Sequence, residues 1–110
     1  MRVMTYNILE GGNLDCGDRT ELLLSVIRDY NPDILGLCEC RGFATDNGAR
    51  FQRFKDSLEM SGTLSTSQSG NHLAILWKAS VSVSTADGSS VLMYNGYARV
   101  IVELPGFGST

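Results

Sequence analysis

Two short apolar runs separated by one amphipathic segment constrain this chain more than any other feature. The first, residues 2–9, carries Val3, Met4, Tyr6, Ile8 and Leu9 around a single amide, Asn7, and stops at Gly11-Gly12. The second, residues 33–39, is Ile-Leu-Gly-Leu-Cys between Asp33 and Glu39. Between them Leu22, Leu23, Val26, Ile27 and Tyr30 recur at helical spacing. Asp18 followed by Glu21 fits a capping box. Asn31-Pro32 ends the helix, because the residue before a proline is pushed out of the helical region. Strand, helix, strand in that order predicts two parallel neighbours joined by a right-handed crossover. The carboxyl ends of parallel strands share one edge, so Asn7 and Glu39 are expected side by side.

The remainder divides by period. Residues 40–48 read as a polar loop with Arg41-Gly42 and Asp46-Asn47-Gly48. A second helix is predicted over residues 49–60, capped by Asn47, striped by Phe51, Phe54 and Leu58, and closed by Ser61-Gly62. Its Arg50, Arg53 and Lys55 are balanced by Asp56 and Glu59, which describes a solvated face. From Thr63 the period becomes two. Strands are predicted at 64–68 (weak), 72–78 (firm), 80–84, 91–94 and 98–104, with turns at Ser69-Gly70-Asn71 and Asp87-Gly88.

With 110 residues the chain is long enough for one domain with one apolar core. A net charge of -3 lacks the basic footprint of a passive nucleic-acid binder. It leaves room for an enzyme that holds phosphate through a metal ion and a local Arg or Lys. Cys16, Cys38 and Cys40 are odd in number and badly spaced for a disulfide framework or a zinc site. They read as reduced thiols. No run approaches the ~20 apolar residues that cross a membrane, and the first residues do not read as a signal peptide. The expected location is cytoplasmic.

A carboxylate ending a buried apolar strand is costly unless it is paired or binds a cation. Two readings of Glu39 are open on local features. It is a ligand for magnesium, which keeps several waters and needs only one or two protein carboxylates, or it bridges to Arg41 or Arg99 or caps a turn. Asn7 either donates to a phosphate oxygen or metal-bound water, or it fixes the Gly11-Gly12 loop. His72, with no serine or cysteine pattern near it, reads as a structural or surface residue and not a catalytic one. Tyr94, Tyr97 and Arg99 lie near the sheet end, where they either approach a substrate or, the favoured reading, serve as packing and surface residues. Asp15, Asp18 and Asp46 read as loop and capping aspartates.

Met1-Arg-Val-Met-Thr-Tyr-Asn-Ile8, a strand with T-x-N, and Pro32-Asp-Ile-Leu-Gly-Leu-Cys-Glu39, a P-D-I-[LI]-x-L-x-E run, resemble the opening of the endonuclease/exonuclease/phosphatase superfamily. That superfamily includes exonuclease III-like and DNase I-like nucleases, inositol polyphosphate phosphatases and sphingomyelinases. Gly70-Asn-His-Leu-Ala-Ile-Leu-Trp77 resembles its later G-x-A-I-L strand more loosely, since the glycine stands further off.

The resemblance implies an α/β fold: half of a four-layer DNase I-like sandwich, with a mixed sheet covered by helices on one face. It implies that Asn7 and Glu39 are catalytic-site residues, with Glu39 the ligand of Mg2+ or Mn2+, and that the substrate is a phosphate ester such as nucleic acid. The family's later histidine, its Asp-x-Asn pair and its terminal Asp-His motif have no counterpart here. Residues 99–104 resemble the strand just upstream of that first histidine.

The expectation is therefore an amino-terminal portion, inactive alone. The inner face of its sheet would pack against a missing carboxyl-terminal half or a second copy in a homodimer. Leu35, Leu37, Ile75, Val100 and Val102 are the candidates for that face or its opposite. The competing reading is a non-catalytic α/β association module.

Overall fold

In chain order the elements are β1 (Val3–Asn7), β2 (Asn13–Leu14), β3 (Gly17–Asp18), α1 (Thr20–Tyr30), β4 (Ile34–Cys38), α2 (Ala49–Leu58), β5 (Ser61–Ser65), β6 (Leu73–Trp77), β7 (Ser82–Ser89), β8 (Tyr97–Leu104) and β9 (Gly108–Ser109). They come from a computed structural model that describes residues 1–8, 13–14, 17–89, 97–104 and 108–109. Strands β1, β4, β6 and β5 form a mixed sheet in that order. As expected from the strand–helix–strand pattern, β1 and β4 pair in parallel, with Asn7 opposite Cys38. Strand β6 runs antiparallel to both of its neighbours. Strands β7, β8 and β9 make a separate antiparallel sheet. Part of the stretch predicted as loop after β1 is a two-residue antiparallel pair, β2 with β3.

Side-chain alternation gives the four-stranded sheet two different faces. Leu35, Leu37, Ala74 and Leu76 point to the helices and are buried, with Met4, Tyr6 and Leu64 packed against the same cluster. Burying each leucine fully contributes about 1.5–3 kcal/mol. On the far face Val3 is 58% exposed, Thr5 and Cys38 are exposed, and Ile34, Ile75 and Trp77 are half-buried. Of the five residues assigned to one face or the other, Leu35 and Leu37 lie under the helices and Ile75 lies opposite. Val100 and Val102 belong to β8 and thus to the second sheet. That sheet leans on β5 through the Ser65 hydroxyl, which donates to the Tyr97 carbonyl oxygen at 2.7 Å.

Helix α1 exists where expected, but it presents a different stripe. Thr20, Leu23, Leu24 and Ile27 are buried, whereas Leu22, Val26 and Tyr30 are exposed. The triple leucine fits two stripes about one residue step apart, and docking against the sheet selects one. The capping box does not form. Arg19 occupies the cap position, Asp18 Oδ1 accepts from the Thr20 amide at 2.9 Å and from the Thr20 hydroxyl, and Glu21 pairs with Arg53 of α2 at 2.6 Å. Asn31 does end the helix, in the left-handed conformation at φ 53°, and its amide donates to the Ile27 carbonyl oxygen.

The polar loop over 40–48 is a core element in part. Cys40 and Phe43 are fully buried, and the Phe43 ring centroid lies 4.9 Å from Phe54 and 6.0 Å from Phe51. Burial, aided by Cys38, pushes the Cys40 thiol pKa far up. Asn47 does not cap α2; Gly48 stands at the helix entry and no side chain bonds there. Glu59, left-handed at φ 54°, closes the helix. Ser61 and Gly62 instead begin β5, where a Cβ on Gly62 would lie 3.1 Å from the Phe51 ring and 3.0 Å from Leu76.

The predicted turn at Asp87-Gly88 lies inside β7. Asp87 faces Arg99 across the pair and accepts two guanidinium bonds at 2.7 and 3.0 Å, which carries the ladder through. The strand predicted at 91–94 lies outside the described residues.

Candidate active site

Strands β1, β4 and β5 run the same way, so their carboxyl ends meet at one edge, together with the loop joining β5 to β6. Asn7 is the last residue of β1. The next residue pins it. The Ile8 amide donates to the Cys38 carbonyl oxygen at 3.2 Å, Arg19 Nη2 donates to the Ile8 carbonyl oxygen at 3.0 Å, and the Ile8 side chain is buried.

Glu39 follows β4 directly and has φ 57°, in the left-handed region. A non-glycine residue there costs of order 1–3 kcal/mol and persists only where its surroundings hold it. Here the hold includes the Cys40 amide, which donates to the His72 carbonyl oxygen at 2.9 Å. The strained turn aims Glu39 at Asn7, whose Nδ2 donates to Oε2 at 2.5 Å. Hydrogen bonds to an ionised acceptor are roughly twice as strong as neutral ones, so this bond orients the carboxylate. A carboxylate has about four lone-pair sites, and one donor leaves room for a cation.

The two arginines considered as partners for Glu39 have other engagements. Arg99 is bound to Asp87, and Arg41 Nη2 donates to the Ser69 carbonyl oxygen at 2.9 Å. His72 is a loop fastener, its Nδ1 accepting from the Ser67 amide at 2.9 Å. That bond puts the neutral ring's proton on Nε2. Burial and the nearby Arg41 charge lower the His72 pKa. Asp18 is turned to the start of α1, Asp46 is exposed in a left-handed turn at φ 53°, and the Tyr97 side chain is exposed. Asp15 and Tyr94 lie outside the described residues.

Among the described residues no three His, Cys, Asp or Glu side chains converge to hold a metal ion. Glu39 supplies one hard oxygen, a ligand set suited to a cation such as Mg2+ that keeps its waters and shares the rest of its shell with substrate phosphate.

The structure adds a residue that sequence reasoning passed over. Cys38, Glu39, Asn71 and Leu73 line an open pocket of about 270 Å³. Asn71 was legible only as part of a turn. Its place beside Glu39 depends on β6 pairing antiparallel with β4, which no local pattern specifies.

No protein-family model and no curated protein matches the sequence. Solved structures do match the fold. A truncated Caenorhabditis elegans TDP2 superposes with TM-score 0.72 at 23% identity, covering 96% of this chain and 42% of that one. The C. elegans TDP2 structure gives TM-score 0.72 at 22% identity, with 96% and 32% coverage. The human Nocturnin catalytic domain with bound sulfate anion gives TM-score 0.66 at 20% identity, with 98% and 46% coverage. This chain thus spans less than half of each. TDP2 and Nocturnin are structures of the endonuclease/exonuclease/phosphatase (DNase I-like) superfamily, and the fold expected from the T-x-N and P-D-I-L-x-L-x-E runs is the fold found.

Proposed function

We propose, proceeding from the DNase I-like fold shared with TDP2 and Nocturnin, that this chain is part of a metal-dependent phosphoesterase of the nuclease or phosphodiesterase kind. One observation carries the reading: Asn7 Nδ2 and Glu39 Oε2 lie 2.5 Å apart at the shared end of parallel strands. Glu39 is the ligand for magnesium or manganese. Asn7 fixes that carboxylate and stands next to where the phosphate would sit. The bound cation would supply charge neutralisation at the phosphoryl oxygens. Ile8, Arg19 and the His72 carbonyl hold the pair in place.

These residues amount to half a site. General acid–base catalysis contributes typically ~10²–10⁴-fold, and the one histidine, His72, already uses Nδ1 within its loop. The 110-residue chain alone is therefore expected to bind cation and phosphate weakly and to hydrolyse little. The test follows hydrolysis of a model phosphodiester and of DNA with Mg2+, alongside NMR shifts on Mg2+ addition. Expected are a rate equal to that of the Glu39→Ala variant, and Mg2+ shifts around residues 38–41 that Glu39→Ala abolishes. Hydrolysis well above that control, or Mg2+ shifts indifferent to the substitution, overturns the reading.

The far face of the sheet favours a second role, with or without catalysis. Val3 is 58% exposed there, and Thr5, Gly36, Ile75 and Ala98 help line an apolar groove of about 150 Å³. Contiguous apolar surface of this kind is normally buried against something. A homodimer packing this face on its own copy would bury it. As a pure association module the chain would have no need of the strained Glu39 turn. The gene sequence beyond Thr110 discriminates: strands ending in Asn-x-His, then Asp-x-Asn and Ser-Asp-His, favour the enzyme.

A further inference from the structure

The turn that carries Glu39 has the form of a β-bulge. Along the antiparallel pair of β4 and β6 the register runs from Ile34 opposite Trp77 to Leu37 opposite Ala74. Beyond it the Cys40 amide donates to the His72 carbonyl oxygen at 2.9 Å. Between that bond and the Leu37–Ala74 pair lie two residues on the β4 side, Cys38 and Glu39, against one on the other, Leu73. Two residues opposite one define a bulge, and a bulge re-aims a side chain. Here the extra residue is Glu39, at φ 57°, and its carboxylate is turned onto Asn7 Nδ2. The Cys40–His72 bond closes the bulge on its outer side.

His72 is itself gripped. Its Nδ1 accepts from the Ser67 amide at 2.9 Å, and the Ser67 hydroxyl donates to the Asn71 carbonyl oxygen at 3.0 Å. The Gly70 amide donates to the Ser67 carbonyl oxygen at 3.2 Å. Ser67 thus holds Gly70, Asn71 and His72 in a row. We propose that His72 is a positioning residue for Glu39: its ring anchors it to Ser67, so that its carbonyl closes the bulge that aims the carboxylate at Asn7. It acts through the Cys40 amide. A strained residue keeps its conformation only while its surroundings hold it, so loosening the ring bond is felt at Glu39. This deepens the phosphoesterase reading, and the consequence for cation binding rests on that reading.

The experiment is NMR on the 110-residue chain. His72→Phe keeps a planar ring without the acceptor, His72→Ala removes the acceptor without added bulk, and His72→Asn keeps an acceptor oxygen near the place of Nδ1. The readouts are hydrogen exchange of the Cys40 amide, the Asn7 side-chain NH2 resonances and Mg2+ affinity. In His72→Phe or His72→Ala, either of which suffices, exchange at Cys40 is expected to accelerate and Mg2+ affinity to fall, each about five- to tenfold, the worth of one hydrogen bond. The Asn7 NH2 resonances are expected to move in the same variants, and His72→Asn is expected to restore all three readouts. A merely structural role would lower the urea midpoint and leave the Asn7 resonances in place. Cys40 exchange and Asn7 resonances that stay unmoved in His72→Phe and His72→Ala, or that move equally in His72→Asn, overturn the assignment. If Mg2+ still binds through Glu39 in that case, only the His72 role falls. If both readouts move as expected while the unaltered chain binds no Mg2+, the phosphoesterase reading falls and the positioning of Glu39 by His72 stands.

Discussion

A single residue conformation, Glu39 at φ 57°, ties backbone strain to chemistry. The turn that strains it also delivers its carboxylate to Asn7. Titration provides a second residue-scale consequence. The His72 pKa is lowered below its ordinary 6.5 by burial and then by Arg41. The folded chain therefore prefers the neutral ring, and this contribution is complete above pH 6.5 and is lost as pH falls below it. The carboxyl of Asp33 is lowered from 3.8, first by its bond from the Arg2 amide. Asp18 is lowered by its bonds from Thr20, and Asp87 by its bond from Arg99. Their contributions are complete above pH 3.8 and are lost below it. Urea midpoints should therefore decline in two stages, beginning below pH 6.5 and again below pH 3.8. His72→Gln should remove the first stage only, and an unchanged first stage in that variant would refute the assignment.

At the scale of elements, the contest was over which face of each helix meets the sheet. The apolar residues of α1 admit two stripes, and the buried one is Thr20, Leu23, Leu24 and Ile27. Leu24→Ala should cost about 2–5 kcal/mol through lost burial and a residual cavity. Leu22→Ala, at an exposed position, should stay within about 0.5 kcal/mol. Phe43→Ala should cost about 3–5 kcal/mol, a loss no polar loop would show, because its ring fills the space beside Phe51 and Phe54. Urea unfolding with an unchanged slope measures all three. A larger loss for Leu22→Ala than for Leu24→Ala would place the stripe where the sequence pattern alone puts it.

Among the described residues the two larger sheets, the short β2–β3 pair aside, are unequally covered. The β1-β4-β6-β5 sheet has helices on one face and, at β1, an exposed Val3 on the other. If that face self-associates, sedimentation at micromolar concentration should report a dimer, and Val3→Asp or Ile75→Asp should shift it to monomer while circular dichroism stays unchanged. A well-folded monomer in the unaltered chain would refute the dimer. The TDP2 and Nocturnin structures are each more than twice as long as the stretch this chain matches, and under the proposed phosphoesterase function the Asn7–Glu39 pair would be one part of a larger site.

The strand–helix–strand unit and the juxtaposition of Asn7 with Glu39 were legible in the sequence. Periodicity is a local property, and the handedness of a parallel crossover leaves a single placement for the two strand ends. Tertiary structure alone decided the rest: the stripe of α1, the burial of Cys40 and Phe43, the passage of β7 through Asp87-Gly88, and Asn71 beside Glu39. Each depends on a partner distant in sequence, such as Arg99 for Asp87 or β4 for β6. Polar spacing in a loop carries no record of such a partner. The chain specified the two groups of its candidate site through short-range pattern, and long-range packing specified how they are held and what stands next to them.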